Sequence, residues 1–198
     1  VTVSVVVPTV VGREEHLARC VEAYETRGTQ PVEIIVVKDR PTCGLAWIDG
    51  ASTATGDYVH FTADDLEPHD FWDADAVRLV DAGLVPSPRI LGPTGLTEFC
   101  GYHHDVELPG GIEVFMRPPI PFLTRAMLEE CLPLLPAHYY TDDWVWYRLT
   151  RAGRRTVMCR SFGFTHHWAM PGRNAGLGMV ERDAVDHAIY RAAVEADG

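Results

Sequence analysis

Tyr58-Val59-His60-Phe61-Thr62-Ala63-Asp64-Asp65-Leu66-Glu67-Pro68 is a short apolar run that ends in two adjacent carboxylates. Such a run reads as a buried strand stopping at a sheet edge. In an open α/β sheet, the carboxyl edge of the strands is where ligands bind. Carboxylates there need a cation, and a divalent ion held by one or two of them can carry a substrate diphosphate. The competing reading is that Asp64 and Asp65 cap the next helix, since acidic residues favour helix N-termini. The run alone leaves both readings open.

Working outward, the preceding chain alternates strand and helix. Val3 to Val7 is a continuous β-branched run, as expected of a strand buried on both faces. Gly12 leads into a helix from about Arg13 to Tyr24, with Leu17, Cys20, Val21 and Tyr24 at helical spacing. Val32 to Val37 is a second buried strand that stops at Lys38-Asp39, and a helix from about Gly44 to Thr55 follows it. This order predicts a parallel sheet with right-handed crossovers. The second half is less regular. It predicts helices over Asp70–Ala82, Leu123–Leu132, Thr141–Ala152 and Glu181–Ala196, and short strands over Arg89–Leu91, Ile112–Phe115 and Thr156–Cys159. Met170 to Met179, with three glycines, has the composition of a loop.

A chain of 198 residues, 46% hydrophobic and 23% charged, suits one substantial domain. No apolar run approaches a membrane span, Val1 to Val7 lacks a signal-peptide pattern, and the expected location is cytoplasmic. A net charge of -11 with scattered arginines argues against a nucleic-acid partner. Five cysteines with no C-x-x-C pair read as free thiols, not as a disulfide framework or zinc site. There is no G-x-G-x-x-G after the first strand and no G-x-x-x-x-G-K-[ST], which excludes the usual dinucleotide and P-loop cradles. A diphosphate site without a glycine cradle points to a metal.

Three strand ends carry polar residues on one side of the expected sheet: Pro8-Thr9, Lys38-Asp39 and Asp64-Asp65. Together with Thr141-Asp142-Asp143-Trp144-Val145-Trp146-Tyr147-Arg148-Leu149-Thr150-Arg151-Ala152-Gly153, they give the chain its resemblance. It resembles the family-2-type glycosyltransferases of the A fold, over roughly residues 3–168. The last segment is similar to that family's "E-D…R…A-G" helix, with Thr141 where Glu is usual.

The resemblance implies an α/β, single-domain three-layer sandwich with a mostly parallel mixed sheet. Its nucleotide-sugar-binding half would be 1–68, its acceptor and catalytic half 69–168, followed by a flexible loop 169–180 and a C-terminal helix 181–198. Pro8 and Thr9 would border the nucleoside pocket and Asp39 would accept a hydrogen bond from the base. Asp65 would be the metal ligand of a degenerate D-x-D motif whose first position is Ala63, with Asp64 on the nucleotide-sugar side. His166 and His167 would complete the coordination of Mn²⁺ or Mg²⁺, and imidazole suits Mn²⁺-like ions better. The alternative for this pair is an ordinary surface position.

Asp142 and Asp143 are the candidate bases for an inverting transfer, or else a helix cap. Arg173 and Asn174 would reach the diphosphate as their loop closes, or else belong to a solvent-exposed loop without a role in the site. Trp144, Trp146 and Tyr147 would flank an acceptor sugar or belong to the core. The implied reaction moves a sugar from a UDP- or GDP-linked donor to a hydroxyl on a glycan, small molecule or protein. The alternatives are a sugar-nucleotide nucleotidyltransferase and a non-catalytic nucleotide-sugar-binding module.

Overall fold

The computed structural model describes residues 1–95, 119–167 and 181–198, together with the backbone of 97–99, 106–108, 111–113 and 179–180. Its first half follows the alternation expected from the sequence. Strand β1 (Val3–Thr9) is followed by helix α1 (Glu14–Arg27), β2 (Val32–Lys38), α2 (Cys43–Thr53) and β3 (Tyr58–Phe61). β1 lies between β2 and β3 and is parallel to both, with Val3 opposite Val32 on one side and Tyr58 on the other. Val3, Val5, Val6 and Val7 are fully buried, which is why the run is apolar throughout and does not alternate.

The strand order 2-1-3 fixes more than the sheet. The first crossover runs from β1 to one side and the second passes back over β1 to the other. Right-handedness then puts α1 and α2 on opposite faces. The point between β1 and β3 where the direction reverses is a topological switch point, where such sheets open a crevice at their carboxyl edge. Thr9 and Asp64 both lie at that point.

The single sheet of the sequence reading is two mixed sheets. The first is β2-β1-β3-β9, closed by the antiparallel β9 (Phe122–Thr124). The second is built on β10 (Arg155–His166), flanked by β5 (Leu84–Leu91) and β8 (Gly111–Glu113), with β6 (Thr97–Phe99) and β7 (Val106–Leu108) outside them. β4 (Leu66–Pro68) pairs antiparallel with the end of β10. The fold remains a single-domain α/β sandwich.

Three boundaries move for physical reasons. Asp64 and Asp65 precede β4 and not a helix, since α3 begins only at Ala74 (Ala74–Asp81), so the capping reading of this pair does not hold. Phe122–Thr124 is strand before α4 (Arg125–Cys131), and Thr124 caps α4 by accepting from the Met127 amide. β10 runs past Cys159 because a register shift between Cys159 and Gly163 absorbs Arg160, Ser161 and Phe162. At Gly163 a Cβ would stand 2.6 Å from the His69 ring, so the shifted strand passes only as glycine.

Helices α5 (Thr141–Arg151) and α6 (Met179–Asp197) complete the described chain. Leu135, Ala137 and Trp144 form a small cluster against Ile189, Tyr190, Ala193 and Val194 of α6. The main core is aromatic, with Tyr24, Phe61, Trp72, Phe122, Phe162 and Phe164 all fully buried. Each such side chain contributes roughly 1.5–3 kcal/mol through its removal from water. Cys20, Cys43, Cys131 and Cys159 are free thiols, as read from their spacing, while Cys100 lies outside the described residues. No helix among the described residues is long and apolar enough to cross a membrane.

Candidate active site

Beyond β3 the chain turns at Ala63, whose carbonyl accepts from the Leu66 amide, and the turn points the two aspartates differently. Asp64 faces inward, its side chain 5% exposed. One of its oxygens accepts from the Thr9 hydroxyl at 2.6 Å and from Arg13 Nε at 2.8 Å, while the other accepts from Arg13 Nη2. A carboxylate held bidentately by a guanidinium and by a hydroxyl is a satisfied buried group.

Asp65 lies further out, 15% exposed, with Oδ2 at 3.0 Å from Arg13 Nη2 and 3.5 Å from His166 Nε2. Burial alone would raise its pKa, but the bonds from His166 and Arg13 prevail and hold it at about 2. It stays an anion throughout the neutral range.

β4 explains how a histidine a hundred residues away arrives here. Leu66 pairs with His166 across the β4–β10 ladder, which places His166 next to Asp65. His167 follows on the alternate side. Its backbone amide donates to the Asp65 carbonyl at 2.8 Å, and its ring Nε2–H donates to Glu67 at 2.8 Å. Glu67 in turn pairs with Arg27 at 2.6 Å. The structure therefore brings Asp65 and His166 together and turns the His167 ring toward Glu67.

Thr9 is spent on Asp64. Asp39 sits at φ 56°, a left-handed position that Asp tolerates better than most residues. Its amide donates to the Thr9 carbonyl and its carboxylate accepts from the Val11 amide at 2.9 Å. It thus shapes the loop that delivers Arg13. Pro8 is half-buried beside them.

Asp142 and Asp143 occupy the first turn of α5 and are half-buried. That helix end is anchored to the carboxyl edge by α2. Gly44 donates its amide to the Ala137 carbonyl at 2.8 Å, and a Cβ there would stand 2.1 Å from the Leu135 carbonyl oxygen. Thr42 closes the same contact by donating to the Pro136 carbonyl. Burial first, and the charge of Asp142 second, push the Cys43 thiol up to about 12. Since α2 begins just beyond the carboxyl end of β2, both candidate bases share an edge with Asp39.

Trp144 is core, its indole N–H donating to the Pro133 carbonyl. Arg148 clamps three helices: it donates to the Glu130 carbonyl, pairs with Asp197 at 2.7 Å and lies over the Trp144 ring. Arg173 and Asn174 lie outside the described residues.

The sequence reading missed Arg13 and Glu67. Arg13 stands 51 positions from Asp64 in the chain, and nothing local marks it as a partner.

Comparison with solved structures places this architecture beside TarS of S. aureus. The 1–349 fragment matches with a TM-score of 0.65 at 14% identity over 84% of this chain. Its complex with UDP-GlcNAc matches with a TM-score of 0.65 at 13% identity over 89%. A longer TarS structure matches with a TM-score of 0.63 at 13% identity over 84%. The chain spans 60% of the fragment and 37% of the longer form. At such identities the likeness establishes the fold. No protein family matches the sequence, and no curated protein does.

Proposed function

We propose that this chain is a metal-dependent, inverting glycosyltransferase that moves a hexosyl group from a UDP-linked donor to an acceptor hydroxyl. The observation that carries the reading is the pairing of Asp65 with His166 at the β1/β3 switch point, in a fold similar to that of TarS, a glycosyltransferase solved with UDP and with UDP-GlcNAc.

The residues present fit a divalent ion. A carboxylate oxygen and an imidazole nitrogen 3.5 Å apart form a mixed pair suited to Mn²⁺. Among the described residues no group of three or more His, Cys, Asp or Glu is placed to hold a metal. That suits an ion completed by donor phosphate oxygens and water better than an all-protein cage. When bound, the ion supplies positive charge to the diphosphate leaving group.

The chain's own residues do the rest. Thr9 and Arg13 fix Asp64, and through it the turn that aims Asp65. Asp142 or Asp143 takes the proton of the acceptor hydroxyl as its oxygen bonds to the anomeric carbon and the bond from that carbon to the diphosphate breaks. The acceptor is a hydroxyl on a glycan, small molecule or protein.

Incubation with UDP-GlcNAc and Mn²⁺, read as UDP release, tests the reading. Chelation should abolish release and Mn²⁺ should restore it. Full activity in excess chelator would remove the metal from the mechanism. Pyrophosphate release in its place would indicate nucleotidyl transfer, and UDP binding without turnover a binding module.

A further inference from the structure

Arg13 is the one cation in contact with both aspartates among the described residues, and its geometry is asymmetric. Two of its nitrogens, Nε and Nη2, grip Asp64 as a fork. Nη2 alone also touches Asp65, at 3.0 Å. The fork is the strong, geometrically fixed interaction, and the single contact to Asp65 is the yielding one. We propose that Arg13 is a positioning and diphosphate-binding residue: it cancels the charge of Asp64, holds Asp65 toward the crevice, and contributes positive charge to the donor diphosphate. This rests on the nucleotide-sugar reading above.

The argument is electrostatic. One guanidinium against two aspartates leaves a single negative charge at the turn. A divalent ion arriving at Asp65 then makes the cluster net positive, with attraction to spare for a diphosphate. Without Arg13 the same ion would only neutralise two carboxylates, and the diphosphate would meet an uncharged site. Asp64, sealed beneath Thr9 and Arg13, has no path to the ion while the fork is intact. Arg13 also explains how a turn that lacks the first carboxylate of a D-x-D motif, with Ala63 in that place, still presents one defined ligand.

Calorimetric titrations of the whole chain with Mn²⁺ alone, and with UDP at saturating Mn²⁺, test this by the opposite signs they should give. Arg13→Met should bind Mn²⁺ roughly tenfold more tightly and UDP roughly tenfold more weakly, because the lost charge repelled one ligand and attracted the other. Since that variant leaves Asp64 buried and unpaired, the double variant Arg13→Met/Asp64→Asn guards against misfolding. There the turn again carries a single negative charge, so the affinities for Mn²⁺ and for UDP should both return toward the wild-type values. Wild-type UDP affinity in Arg13→Met, or UDP affinity in the folded double variant no better than in Arg13→Met, overturns the role of Arg13 and leaves the functional reading intact. A wild-type chain that binds no UDP overturns the functional reading itself.

Discussion

Asp64 and Asp65 are adjacent and chemically identical, yet the fold gives them different work. The neutral variant of each separates the two. Asp65→Asn removes the proposed anionic ligand but leaves the Arg13–Asp64 fork in place, so Mn²⁺-dependent UDP binding should vanish in calorimetry with stability little changed. Asp64→Asn breaks a buried pair and leaves Arg13 with Asp65 alone. It should cost about 3 kcal/mol in urea unfolding, in the range for removing one partner of such a pair, and weaken UDP binding less. The reverse ranking for UDP would mean that Asp64 holds the ion. The sequence identifies this turn because carboxylates after an apolar strand are conspicuous. It is silent on Arg13, whose role depends on β1 and β3 lying side by side. A contact across 51 residues leaves no trace in local pattern.

Elements determine which distant side chains reach the turn. β4 has three residues, too few to display alternation, so the sequence hides the ladder that carries His166 to Asp65. β10 is hidden differently, since Arg160, Ser161 and Gly163 interrupt its apolar run where the register shifts. Pro86 and Pro88 mask the start of β5 in the same way, because proline argues against a strand. By contrast the parallel β1-β2-β3 unit is legible from its Val and Ile runs, although of those two runs only β1 is buried as that pattern demands and β2, expected to be buried, is a half-buried edge strand. The ladder makes the histidines unequal. His166→Ala should weaken Mn²⁺ binding in the presence of UDP by at least about tenfold, whereas His167→Ala should act chiefly on stability through the lost Glu67 bond, by about 1 kcal/mol. Equal losses of Mn²⁺ affinity would bring both rings to the ion. At the start of α5, Asp142→Asn should lower turnover by roughly a hundredfold with UDP affinity unchanged, since it removes a proton acceptor and keeps its shape. If Asp143→Asn does so instead, the base is the neighbouring residue. If neither matters, the pair serves the helix end.

At the scale of the whole molecule, the core that carries the site contains an ionisable group at its centre. His60 is fully buried among Tyr24, Trp72, Phe122, Phe162 and Phe164. Its Nδ1–H donates to the Pro121 carbonyl, which can only accept, so Nε2 is the lone-pair side facing the Tyr24 hydroxyl at 2.9 Å. Burial lowers its pKa from 6.5 to about 3, although the Pro121 bond opposes the shift. Between those values the unfolded chain carries a proton at this position that the folded chain refuses. The unfolded state binds more protons there, and stability must fall as pH falls through that window. Burial also lowers His69 and His138, which adds to the same trend. The depressed carboxylates Glu33, Asp65, Glu67 and Asp75 act only below their ordinary range near pH 4, so the loss between pH 7 and 5 belongs to the histidines. His60 alone should account for about 2 kcal/mol by pH 5. Urea unfolding at stepped pH measures it. The wild-type free energy of unfolding should decline from pH 7 to 5, and His60→Gln, though less stable throughout, should decline less steeply. A wild-type curve flat across that interval would mean that His60 titrates freely, which a ring enclosed by five aromatic side chains does not permit. The strand that holds His60 leads directly into Thr62, bonded to Tyr24, and then into Asp64. Protonating this histidine therefore dismantles the support of the turn that presents Asp65, and UDP binding should fail with the fold and not before it.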